Sequence, residues 1–141
     1  MSAATSMVMA AAMASQPYDF VSGAMVGDVV PEPGQSQLSG LLVSGEHAIL
    51  AAEGDGGCVL FTSTRVLIGE QAGIMSKRLA VKSLRRDSII AYAIDPSTHV
   101  SVELIGAFGK ATLHFAEGFN PMLLSEWLGS TLTGSPIGGE N

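Results

Sequence analysis

From Gly45 to Phe115 the apolar positions come in short runs, many with a period of two, set between residues that favour turns. The cleanest runs lie late in that region. Val100, Val102 and Leu104 alternate with Ser101 and Glu103, and Ala111, Leu113 and Phe115 alternate with Lys110, Thr112 and His114. Each reads as a strand with one buried face, which leaves His114 on the outward side. Upstream, Ile90, Tyr92 and Ile94 are expected on one face of a strand over Ser88–Ile94, with Ala91 and Ala93 opposite, closed by an Asp95-Pro96-Ser97 turn. Leu79 and Val81 oppose Lys82 in a strand over Leu79–Leu84, and Gly69–Ser76 reads as the preceding loop. Cys58–Phe61 and Val66–Ile68 are two apolar runs joined by Thr62-Ser63-Thr64-Arg65 and bounded by Gly57 and Gly69, which is a hairpin signal. An alanine-rich strand over Glu46–Glu53 precedes the Gly54-Asp55-Gly56-Gly57 turn. The expectation is about seven short antiparallel strands.

The pattern changes at both ends. Asn120-Pro121 suits a helix start, with Asn as the cap and Pro in the first turn. Leu124, Trp127, Leu128 and Leu132 then form one apolar stripe at helical spacing, and Gly134-Ser135-Pro136 stops it. One amphipathic helix carrying a large aromatic is a sensible plug for the open end of a bent sheet. At the other end, Phe20, Val21, Met25 and Val26 predict a short amphipathic helix within Tyr18–Val30. Met1–Ser15 has a helix-favouring composition without a polar face, so a packed helix and a loosely ordered terminus both fit. Pro31-Glu32-Pro33-Gly34-Gln35-Ser36 breaks either helix or central strand and is taken as the leading boundary. The organisation expected is an N-terminal segment over 1–40, a domain over 41–133 and a disordered tail over 134–141.

Composition narrows the function classes. The chain has 141 residues, enough for one domain with its own core. A net charge of −6 argues against general nucleic-acid binding. The distribution says more than the sum. All seven basic residues lie between Arg65 and Lys110, six of them by Arg86, opposed locally by Glu70 and Asp87. Cys58 is the sole cysteine, so no intrachain disulfide forms, and its apolar run makes it a small buried hydrophobe. No stretch reaches the roughly 18 apolar residues of a membrane span. Ala12-Met13-Ala14 before Ser15 mimics a cleavage site, but the positive region of a signal peptide is missing, so a cytoplasmic location is expected.

Several segments occur in an order that resembles the bacterial pleckstrin-homology (PH-like) family. They are LLVSGEHAIL at Leu41–Leu50, FTSTRVLIGEQAGI at Phe61–Ile74, KRLAVKSLRRDSIIAYAID at Lys77–Asp95, and the Trp127 helix. A Leu-Leu-x-x-Gly-Glu lead-in, a Phe-Thr-x-x-Arg hairpin and a Ser-Ile strand start recur in that family. The resemblance implies a mainly β fold: a seven-stranded antiparallel bent sandwich or barrel capped by a C-terminal helix. It further implies a non-enzymatic module, and family members are thought to form cyclic homo-oligomers. The alanine-rich first strand and the glycine-interrupted region before Leu41 depart from the pattern.

The functional expectation is a scaffold or binding module that self-assembles, a ring being one form, and binds an unidentified partner, for which a protein is one candidate. The alternative is a peripheral membrane module. Its surface would be the basic set Lys77, Arg78, Lys82, Arg85 and Arg86, suited to anionic lipid headgroups or an acidic partner. The same charges also suit a solvated strand face that blunts an exposed edge. Arg65 stands apart in the hairpin link, where it suits either a contact to a partner or acid, or a guanidinium that ties down nearby carbonyls. His47, His99 and His114 show no metal-ligand spacing, and no nucleophile elbow, phosphate loop or dinucleotide fingerprint is present. Glu46 and His47 are adjacent in a strand reading and so point to opposite faces. No catalytic residue, cofactor or metal site is expected.

Overall fold

The computed structural model describes residues 22–72 and 78–133. The expectations for Met1–Ser15, for the Gly134-Ser135-Pro136 stop and for the tail over 134–141 lie outside the described residues. The strands are β1 (Ser22–Val29), β2 (Ala48–Glu53), β3 (Gly57–Thr62), β4 (Arg65–Ala72), β5 (Arg78–Arg85), β6 (Ile89–Asp95), β7 (His99–Gly106) and β8 (Gly109–Glu117). A 3-10 turn over Pro121–Leu124 leads into helix α1 (Ser125–Thr133).

The described residues form an eight-stranded sheet in the order β5-β4-β3-β2-β1-β8-β7-β6. β2 to β5 make one antiparallel meander and β6 to β8 another. β1 is the seam between them. Its first part pairs parallel with β8, from Ser22 opposite Ala111 to Gly27 opposite Phe115. Its last two residues pair antiparallel with β2, Asp28 with Glu53 and Val29 with Ala52. The switch is made at Gly27, where the register shifts and φ is 78°. A Cβ there would fall on the backbone of Glu53 and Gly54, so the position needs glycine for both conformation and space.

β1 corrects two expectations. The helix predicted within Tyr18–Val30 is a strand over its described part, and the strand count is eight rather than seven, with one parallel pair. Alternation explains it: Ala24 and Val26 are buried while Met25 between them is exposed. Pairing on both sides overrides the weak helical spacing of Phe20, Val21, Met25 and Val26. The Pro31–Ser36 break therefore lies between two strands of one sheet.

The curvature of the sheet is evident from its main core. Val59, Phe61, Val66, Ile68 and Leu84 from one meander share a cluster with Val102, Leu104, Leu113 and Phe115 from the other, so the inner faces close on each other. The helix fills the opening. Leu124, Trp127 and Leu128 are buried in that core, as the stripe predicts, while Leu132 is exposed. Trp127 meets the ring of Phe61 edge-on at 5.0 Å and donates from Nε1 to the Thr62 carbonyl at 2.7 Å. Asn120 caps as expected, its Oδ1 accepting from Met122 N–H at 3.0 Å, but the first turn is 3-10 and the α-helix starts at Ser125.

A second core lies on the outer face of the first meander. Leu38 is buried there with Ala51, Cys58, Leu60 and Leu67, and Val30, Leu42 and Leu79 pack around them. The segment between β1 and β2 thus acts as a strap over the sheet. Its backbone is held by Val30 N–H to Ala51 O and by Gln37 N–H to Glu53 Oε2, both 2.8 Å. β3 is therefore buried on both faces along its whole length, which is why it reads as a continuous apolar run rather than an alternating one. One alternation expected from sequence fails. The register shifts between Ile89 and Ala91, so Ile89 is buried while Ile90 is 69% exposed; beyond the shift Tyr92 and Ile94 stand opposite Leu104 and Val102, which belong to the main core.

Replacing Gly27 with Ala should destabilise the fold by about 3 kcal/mol or more, through strain and backbone overlap at the seam. Urea unfolding of the variant and the parent measures it; a change below about 0.5 kcal/mol would show that the seam tolerates a side chain.

Candidate functional site

The β3–β4 link, which carries the most distinctive sequence pattern, is built around a buried carboxylate. Glu46 sits at the end of the strap, and its side chain is only 1% exposed. Arg65, the first residue of β4, binds it with two nitrogens: Nε to Oε2 at 2.7 Å and Nη2 to Oε1 at 3.0 Å. The Thr62 hydroxyl donates to Oε2 at 2.6 Å and accepts from the N–H groups of Thr64 and Arg65. Thr64 Oγ1 also reaches Oε2 at 3.2 Å, and Val43 N–H donates to Oε1 at 3.1 Å. Ser63 fixes the neighbouring backbone, its Oγ accepting from His47 N–H and its own N–H donating to His47 O.

The electrostatics follow from this geometry. The Arg65 guanidinium, aided by the Thr62 hydroxyl and the Val43 N–H and working against burial, holds the Glu46 carboxyl at about 2, well below its ordinary 4.5. The same contact raises Arg65. Arg65 Nη2 also donates to the Leu41 carbonyl at 2.9 Å, so it ties down both the acid and the strap. Both expected kinds of contact are present, an acid in Glu46 and a carbonyl in Leu41, and both lie within the chain. Glu46 is buried and His47 exposed, so the two do not converge. Burial, with the Glu53 carboxylate adding to it, pushes the Cys58 thiol up to about 11, in keeping with a packing role.

The basic set is not a single patch. Lys77 lies outside the described residues. Arg78 and Lys82 stand opposite Ala72 and Ile68, on the side of β5 that continues to Leu84 and the main core. Arg85 is at the other end of the strand, about 23 Å from Arg78 at the rise of an extended chain. There it lies directly opposite Arg65, with Arg86 following in the 3-10 turn Arg86–Ser88. Thr64, Arg65, Arg85, Arg86 and Asp87 line a cleft of about 380 Å³. Sequence reasoning grouped Arg85 and Arg86 with the strand and set Arg65 apart. The antiparallel β4–β5 register was the signal that joins them.

Two of the three histidines also come together. His99 and His114 line a cavity of about 410 Å³ with Met25, Phe115 and the glycines of the seam. The Ser101 hydroxyl lies 3.1 Å from His114 Nδ1. Among the described residues no group of three His, Cys, Asp or Glu side chains is placed to hold a metal ion. No helix among them is long and apolar enough to cross a membrane.

No protein-family model matches the chain, and no curated protein matches it significantly. Solved structures do. A DUF1696 family protein with a pleckstrin-homology domain, from Shewanella loihica PV-4, is similar with a TM-score of 0.61 at 14% identity, over 79% of this chain and 98% of that one. The pleckstrin homology domain from Shewanella amazonensis SB2B gives a TM-score of 0.55 at 16% identity, over 69% and 93%. The chain has the pleckstrin-homology fold. The resemblance read from the sequence is borne out at that level. In this pleckstrin-homology fold the Gly-Glu and Phe-Thr-x-x-Arg segments are the two halves of one buried ion pair.

That pair makes stability depend on pH. Because the folded carboxyl titrates below its unfolded value, its contribution is fully present above about pH 4.5 and is lost as pH falls towards about 2. Glu46→Gln should cost about 3 kcal/mol at pH 7. It should also flatten the acid limb between pH 4.5 and 2 in chemical denaturation. An acid limb identical to the parent would show that other carboxylates control it.

Proposed function

We propose that the protein is a non-catalytic scaffold that assembles with copies of itself and presents the assembly to a protein partner. The observation that carries this reading is the state of the sheet's two ends. Among the described residues β5 and β6 are its outermost strands, each paired on one side only. Such edges offer unpaired backbone groups to another chain unless something blunts them. Their side chains are complementary. Every charged residue of β5 is basic, namely Arg78, Lys82 and Arg85, whereas β6 ends in Asp95 and exposes Ile90 and Tyr92. Antiparallel addition of β5 from one copy to β6 of the next would bring the Arg78 end beside the Asp95 end. That contact joins two different surfaces, so repetition closes into a ring or grows into a filament.

Absence of catalysis is supported by how the reactive groups are used. The Glu46 carboxylate is committed to Arg65, and the Cys58 thiol is buried and protonated at neutral pH. The membrane alternative would rest on the basic residues of β5, but these are spread along the strand on both faces rather than gathered in one patch. The scaffold reading is the better supported one.

Light scattering at micromolar concentration tests it. A mass several times 14.5 kDa is expected, falling to the monomer in Tyr92→Lys or with a β5 charge reversal at Lys82→Glu. A monomer at all concentrations would overturn self-assembly. Vesicle pelleting with and without acidic lipid separates the alternative, whose mark would be salt-sensitive binding by a monomer.

A further inference from the structure

The cleft between the β3–β4 link and the β5–β6 turn has properties that neither assembly nor fold accounts for. Its walls are fixed: Arg86 N–H donates to the Thr64 carbonyl at 2.8 Å, which locks the turn onto the link. Across it the β4–β5 register sets Arg65 directly opposite Arg85. Two like charges in that relation are unfavourable by themselves. Arg65 is held rigid by Glu46, Leu41 and Ser83. Those contacts engage Nε–H, both Nη2 hydrogens and one Nη1 hydrogen, so one Nη1 N–H of the five guanidinium donors remains for a ligand. Arg85 is the movable arm. Its pairing with Asp87 has both side chains largely in solvent, at 80% and 70% exposure, and such pairs contribute little. Arg86 is a third arginine in the lining of the same cleft.

We propose that this cleft is a site for a phosphate-type oxyanion, either inorganic phosphate or a phosphomonoester. A tetrahedral dianion presents several oxygens to planar guanidinium forks at once, which a single carboxylate does not. It would relieve the opposition of Arg65 and Arg85, and a volume of about 380 Å³ holds a phosphate with a small organic group attached. Arg65 is the pre-organised donor, while Arg85 leaves Asp87 to close on the anion. The site does not depend on self-assembly, because every residue in it belongs to one chain.

Equilibrium dialysis of the full chain against radiolabelled inorganic phosphate at pH 7.5, with sodium chloride holding ionic strength constant, tests the proposal. Saturable binding of one phosphate per chain in the millimolar range is expected. Arg85→Gln with Arg86→Gln should weaken it about tenfold or more, and Arg78→Gln, at the far end of the strand, should leave it unchanged. Asp87→Asn should tighten it about threefold, since it releases Arg85 and removes a repelling carboxylate. The last change has the opposite sign from that of mere unfolding. Glycerol phosphate and vesicles containing phosphatidic acid identify the source. Competition by the soluble ester alone assigns a free anion, and vesicle pelleting lost in the double variant assigns a headgroup; both support the site. Non-saturable uptake, or equal loss in Arg78→Gln and the double variant, would overturn it.

Discussion

A carboxylate taken out of water must be met by enough donors to offset its lost hydration, and Glu46 sets that requirement for this fold. Its partners come from three separate places: the strap, the end of β3 and the start of β4. None of these can shift alone without leaving the charge short of donors. The constraint extends to the helix, because the residue whose hydroxyl binds Glu46 also accepts the Trp127 indole N–H on its carbonyl. Thr62 therefore couples the acid outside the sheet to the plug of the main core. Packing of apolar side chains supplies most of the driving force. The ion pair adds direction: it specifies which segment covers which face.

Much of this was legible in the sequence because the relevant signals are local. Seven of the strands, the hairpin link, the Asn120 cap and the buried stripe of Leu124, Trp127 and Leu128 follow from period, turn chemistry and capping. β1 was not, because Ala24 and Val26 are too small to mark an alternating strand and its two pairings join residues far apart in the chain. At β6 one register shift takes Ile90 out of the face it was expected to share with Tyr92 and Ile94. The site followed the same division. The basic residues are visible in the sequence, but their grouping is a property of register. Arg85 belongs with Arg65 across the sheet, while Arg78 lies a strand's length away.

The two sides of the first meander have different roles. The inner side joins the common core, and the outer side is roofed by the strap, with small Ala51 and Cys58 leaving room for Leu38. An outer face covered in this way is withdrawn from contact with other molecules. Among the described residues, what stays open on this meander is its rim: outer strand β5 and the corner where the link meets the β5–β6 turn. A core shared by both meanders and a covered back face thus leave the first meander exposed chiefly along its edge.

The seam strand has a consequence for how the molecule comes into being. Ser22 meets Ala111 and Asp28 meets Glu53, so one short strand is committed both to a near neighbour and to a segment synthesised much later. The β2–β5 meander consists of sequential hairpins and can form early, while the parallel pairing must wait for β8 and bears the loop-closure cost of a long intervening chain. Until then the partner edge of β1 is uncovered, and the main core lacks one wall. Emergence from the ribosome, rather than the finished state, is where this chain is most exposed to pairing with the wrong neighbour.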